Sequence, residues 1–166
     1  MSEQSSYYPE LARKIAPAQG KLGVLLPGLG AVATTFVAGS LLARKGLAQP
    51  FGSCTQMQRI RLGKRPLSKY PLIKDFVPLA ALKDLVFAGW DIFSDNAYRT
   101  ALQAGVLPPE TLAKVRRELE SIRPMPAVFN RDYVKNLHGA NLKKAANKMD
   151  LAEQLARDIE KFKKSN

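Results

Sequence analysis

The sequence predicts an α/β domain built on a mostly parallel sheet, and three observations lead there. An uncharged stretch from Leu22 to Ala43 divides at a proline–glycine bend into a short apolar run and a helix-length segment. A second apolar run, "LVFAGWD", follows at 85–91. Around them helical and extended patterns alternate, the order in which parallel strands are joined by crossover helices.

Size and composition narrow the possibilities. At 166 residues, 46% hydrophobic and 24% charged, the chain suits one globular domain with a real core. The unusual figure is the net charge of +12, from 26 Lys and Arg against 14 Asp and Glu. Such an excess points to a polyanionic partner, or to a basic part of a larger and more balanced whole. A single cysteine, Cys54, excludes an internal disulfide framework and suits a reducing compartment. With one histidine, His138, beside it, a Cys/His zinc site is not available, and both residues read as structural. The N-terminal "MSEQSSYYPELARK" lacks the apolar core of a secretory signal, so a cytoplasmic protein is expected.

The first element has two readings. Leu22 to Ala43 is long enough to cross a bilayer, which takes about 20 apolar residues. Pro27, Gly28 and Gly30 would disrupt such a helix, and Thr34, Thr35 and Ser40 dilute its hydrophobicity. The other reading gives each of these residues a task. Leu22–Leu26 is a buried parallel strand, Gly28-x-Gly30 a sharp turn, and Ala31–Arg44 a helix stopped by Lys45-Gly46. Unsatisfied N–H groups and the positive dipole at that helix's N-terminus would face a phosphate. The pattern Gly-x-Gly-x-x-Ala, from Gly28 to Ala33, is a form of the Rossmann dinucleotide fingerprint.

Dinucleotide sites usually carry an acid roughly 20 residues beyond the glycines. No acidic residue occurs between Ala31 and Lys74; that interval holds "GSCTQMQRIRLGKRPLSKYPLIK", an expected insertion of short strands and loops. The next strand signal is Leu85–Phe87, with Gly89-Trp90-Asp91 at its carboxyl end. Ligands of parallel sheets bind outside those ends, so Asp91 is the candidate ribose contact, with a turn-capping role as the plain alternative. Further on, Ser94-Asp95 predicts a capped helix through Gln103, ended by Gly105. Pro108-Pro109 opens a second helix, "ETLAKVRRELESI", and "RPMPAVF" is extended by its prolines. From Arg131 the chain reads as helical, ending in a stripe of Leu151, Leu155, Ile159 and Phe162. Basic runs such as "RIRLGKR" and "KFKKSN" lack interleaved aromatics for base stacking, so no nucleic-acid partner is expected.

In this order, "LLPGLGAVATTFVAG", "GSCTQMQRIRLGKR", "PLIKDFVPLA", "DLVFAGWDIF", "IRPMPAVFNRDYVK" and "DLAEQLARDIEKF" resemble the bacterial branch of the myo-inositol-1-phosphate synthase family. The resemblance runs from about Leu22 to Phe162 and implies an NAD-dependent isomerase of inositol and phospholipid biosynthesis. It would convert glucose 6-phosphate to myo-inositol 1-phosphate. With bound NAD, C5 of the sugar is oxidised, the C6 hydrogens become acidic, the ring closes on the C1 aldehyde, and the ketone is reduced again. The cofactor therefore stays bound throughout.

Residue by residue, the resemblance places the phosphate-binding turn on Gly28, Leu29, Gly30, Ala31, Val32 and Ala33, and the ribose acid on Asp91. Ala127 and Val128 match a backbone region beside the adenosine. Ala127 departs from the serine common in the family, and Val32 and Ala33 from polar residues of its eukaryotic branch, so contacts there are through backbone. The implied organisation is an arm over 1–20, a Rossmann-like NAD-binding domain over 21–130 with inserted loops at 50–75, and a helical segment over 131–166. That segment would lead toward a catalytic and oligomerisation domain which the family carries and this chain does not. A truncation, a gene fragment or half of a split enzyme would each have this form. No position matches the family's catalytic lysines, so no catalytic residue is assigned and the chain alone is expected to be inactive. In the full-length family a homo-oligomer, a tetramer, is implied. The reading that competes with this one is a stand-alone nucleotide- or polyanion-binding module.

Overall fold

In the computed structural model, residues 19–166 are described; the expected arm lies outside the described residues apart from Gln19 and Gly20. The chain runs from β1 (Leu22–Pro27) through a bend into α1 (Ala31–Arg44). Two short helices follow, α2 (Cys54–Met57) and α3 (Ile73–Phe76), before β2 (Leu85–Asp91). Next come α4 (Ala97–Ala104), α5 (Pro109–Ala113), α6 (Arg116–Ser121), the two-residue β3 (Met125–Pro126) and α7 (Lys148–Ser165).

The sheet is parallel, in the order β1-β2-β3, with Leu22 opposite Leu85, Pro27 opposite Trp90, and Asp91 opposite Pro126. Alternation along each strand sends Leu26 and Phe87 to one face. There they pack against the core formed by Val37, Ala38, Leu41 and Leu42 of α1 and by Leu112, Val115 and Leu119 around α5 and α6. Burial of each such branched side chain contributes about 1.5–3 kcal/mol before chain entropy is subtracted. Gly23, Leu25 and Val86 face the other way, where Ile159 and Phe162 of α7 meet them. Of the predicted stripe on α7, Phe162 and the partly exposed Ile159 thus lie toward the back of the sheet, while Leu155 turns to the strand ends.

Gly89 lies where the strands pass beneath the bend. A Cβ there would stand 2.4 Å from the Leu26 carbonyl oxygen and 3.0 Å from Leu29 Cγ. The nearest obstacle is backbone, so Gly89→Ala must push β1 and β2 apart. A loss of about 3 kcal/mol is expected from such overpacking, measured as a lower urea midpoint at unchanged slope. A variant as stable as the parent would show that the two strands are not held this close.

Several elements differ from expectation, each for a local reason. The strand expected to be fully buried, β1, is only half-buried, with Leu22 50% exposed, because among the described residues it is paired on one edge alone. The helix expected behind Ser94-Asp95 is capped by Asn96, whose Oδ1 accepts from the Arg99 amide at 2.9 Å. Asp95 instead pairs with the Arg99 side chain, one turn on. Gly105 does end that helix, at φ +63°.

The single helix expected over "ETLAKVRRELESI" is broken at Lys114-Val115. Lys45, at the end of α1, donates to the Lys114 carbonyl at 3.0 Å and pairs with Glu118, so a side chain takes the acceptor that a continuous helix would use. The hydrogen bond from Lys45 also holds the Glu118 carboxyl below the ordinary range. Between 50 and 75 the insertion contains α2, α3, a 3₁₀ turn at Arg65–Leu67 and an antiparallel bridge between Arg59 and Leu72.

The helix expected from Arg131 begins only at Lys148, capped by Asn147, which accepts from the Asp150 amide. The preceding residues are drawn to the sheet instead, where Leu142 pairs in parallel with Ala127. Read as a membrane span, Leu22–Ala43 fails outright: the segment bends into strand and helix. Among the described residues no helix is long and apolar enough to cross a membrane.

Candidate cofactor site

The site begins at the bend. Gly28 adopts φ +100°, a conformation that side chains rarely tolerate, and its amide donates to the Trp90 carbonyl at 2.7 Å. Leu29 then turns inward to 1% exposure and fastens the loop to the domain. Gly30 is different. Its φ of −75° is open to any residue, and a Cβ on it would meet nothing within 4 Å. The fold has no steric need for glycine at 30; the missing side chain leaves space in front of the helix.

Behind that space α1 starts at Ala31. Gly30 supplies no side-chain cap, and the first turn carries no acidic residue. The leading amides and the positive end of the helix dipole are therefore presented outward. Buried Thr34 bonds its hydroxyl to the Gly30 carbonyl at 2.9 Å, holding the turn from inside.

Asp91 stands across the bend, at the carboxyl end of β2. Its Oδ2 accepts from the Leu29 amide at 2.7 Å and its Oδ1 from the Phe93 amide at 2.9 Å. Each carboxylate oxygen can accept a second hydrogen bond, so both remain able to receive hydroxyl donors. The capping role and the ligand role weighed for this residue are compatible.

Gly28, Gly30, Asp91, Ala127 and Val128 line one cleft of about 630 Å³, a volume in the range of small-molecule and cofactor sites. Leu29, Ala31, Val32 and Ala33 are not on its walls. Leu29 contributes its amide to Asp91, while the other three form the first turn of α1, with the Val32 side chain 85% exposed.

Much of the wall was not foreseen. Phe93 and Phe129 flank the strand ends, Leu137 comes from the loop before α7, and Leu155 and Ile159 from α7 itself. Trp90 also lines it, and its indole donates to Asp158 at 2.7 Å. Lys143, its side chain only 8% exposed, pairs with the same Asp158 oxygen at 2.7 Å, tying α7 to the sheet. The periodicity of Leu155 and Ile159 signalled an apolar face, but nothing in sequence spacing could signal its destination. No cluster able to hold a metal ion occurs among the described residues.

A parallel sheet with helices on both faces, a glycine turn opening a helix, and an acid at the end of the neighbouring strand together define a dinucleotide-binding domain of the Rossmann type. The model of the myo-inositol-1-phosphate synthase family matches residues 22–166. The chain belongs to that family, and the matched region is its NAD-binding domain.

Inositol-3-phosphate synthase 1 of Bacteroides thetaiotaomicron is 50% identical over 157 residues, covering 94% of this chain and 36% of that protein. Inositol-3-phosphate synthase 1 of Oryza sativa subsp. japonica is 35% identical over 160 residues, covering 88% and 31%. The crystal structure of inositol-3-phosphate synthase from Caenorhabditis elegans superposes with a TM-score of 0.78 at 30% identity, over 88% of this chain and 32% of that one. The chain spans about a third of the length of these relatives.

Proposed function

We propose that the cleft binds NAD, and that this chain is the cofactor-binding part of an enzyme forming myo-inositol 1-phosphate from glucose 6-phosphate. The observation that carries the reading is Gly30: a residue the fold leaves free, vacant in front of an uncapped helix N-terminus and beside Asp91. Backbone amides from Gly28 to Ala33 would hold the pyrophosphate, Asp91 the adenosine ribose hydroxyls, and the backbone of Ala127 and Val128 the adenosine. The apolar walls suit the flat base and exclude water from it. When bound, NAD supplies the hydride acceptor and donor for a reaction without net redox change; the protein's part is to hold and orient it.

Catalytic residues, oligomer contacts and the sugar phosphate site would belong to the rest of an enzyme of the relatives' length, a homo-oligomer acting in the cytoplasm. The polyanion-binding alternative is favoured by one feature, the net charge of +12. Titration of NAD, followed by the fluorescence of the single tryptophan, Trp90, separates the two. Saturable NAD binding that changes little between 50 and 200 mM salt is expected for a ligand held by backbone amides; no response to NAD, with binding of a duplex oligonucleotide that falls roughly a thousandfold over the same range, would mark polyanion binding instead. Mixed with NAD and glucose 6-phosphate, the chain alone is expected to give no inositol phosphate, and clear turnover would refute that division of labour.

A further inference from the structure

Residues 139–143 cross the carboxyl ends of β2 and of the extension beyond β3, and Asn141 is the centre of that strap. Its amide nitrogen donates to the Ile92 carbonyl at 2.9 Å, and its own carbonyl accepts from Ala127 at 3.0 Å. Its side-chain Nδ2 donates to the Asp91 carbonyl at 2.8 Å and reaches the Met125 carbonyl at 3.4 Å. One half-buried asparagine thus bonds both strand ends that carry the candidate adenosine contacts. The approach is close: a Cβ on Gly139 would stand 2.3 Å from the Ile92 carbonyl oxygen.

The backbone of Asp91 is held from one side by Asn141, while its carboxylate is held from the other by the Leu29 and Phe93 amides. Asn141 does not itself line the cleft; it bonds Asp91, Ile92 and Ala127, which do. Its carboxamide, having two N–H donors, suits two carbonyls that diverge at the strand ends. From this geometry we infer that Asn141 is a positioning residue, setting the direction from which the Asp91 carboxylate meets the adenosine ribose of NAD. The inference rests on the proposed NAD site.

The test uses the full chain and two probes, NAD and its analogue lacking the adenosine 2′-hydroxyl, titrated against the parent, N141A, D91N and the double variant. Loss of one hydrogen-bonded anchor predicts that N141A binds NAD about tenfold more weakly. Its preference for NAD over the deoxy analogue should shrink by a similar factor, while N141A adds little once Asp91 is already replaced. Equal preference in parent and N141A, or an equal loss in both backgrounds, would reduce Asn141 to a structural strut and overturn the inference. N141S, which keeps a small polar side chain and all backbone bonds, serves if N141A does not fold. A parent chain that fails to bind NAD overturns the proposed site itself, and the role of Asn141 with it.

Discussion

Gly30→Val is expected to abolish NAD binding while leaving the fold standing. The backbone at 30 has φ −75°, which valine accepts, and the added side chain meets no protein atom in the direction of its Cβ. The penalty to the fold is confined to a poorer helix cap, about 1 kcal/mol. The penalty to the ligand is much larger. A branched side chain would occupy the space in front of α1, keeping phosphate oxygens away from the leading amides. Hydrogen bonds to charged groups contribute about 1.5–3 kcal/mol each, so losing two weakens binding at least a hundredfold. The measurement pairs calorimetric titration of NAD with a urea melt. Retained affinity would mean that the cofactor does not enter over the glycine turn.

Asp91→Ala should be nearly as severe for binding, and costlier for the protein. The carboxylate bonds the Leu29 amide on the glycine loop and the Phe93 amide beyond β2, so its removal releases the bend as well as the proposed ribose contact. A hundredfold loss of affinity, with a destabilisation of about 2 kcal/mol, follows from leaving part-buried amides unpaired. Asp91→Asn separates the two effects. One oxygen still accepts, while the new NH₂ group must face an amide donor or the ligand; a loss near tenfold is expected. If alanine and asparagine at 91 bound NAD as tightly as the parent, the acid would be a loop brace and nothing more.

These two residues also mark how far the sequence could be read. Gly28-x-Gly30 between an apolar run and an uncharged helix-length segment is a local signal, because strand, bend and helix are each decided by neighbours a few residues apart. Asp91 was legible for a related reason: a polar residue closing an apolar strand falls at the carboxyl edge whatever surrounds it. Asn141 carried no such signal. It stands in a stretch whose helical composition suggested a helix from Arg131, and its value arises only when residues 139–143 fold back to β2. The break at Lys114-Val115 was hidden in the same way, since the acceptor it gives up goes to Lys45, far away in sequence.

By itself, the order of residues determined the strand–turn–helix start, the parallel sheet, the acid at the mouth of the bend and the family likeness. Those depend on short-range periodicity and on backbone freedom at a few glycines. Only the tertiary structure decided that α7 would wall the cleft, that Trp90 and Lys143 would share Asp158, and that Asn141 would bind two strand ends together. Such pairings need distant segments to meet, and hydrogen bonds between groups far apart in the chain leave no spacing behind to be read.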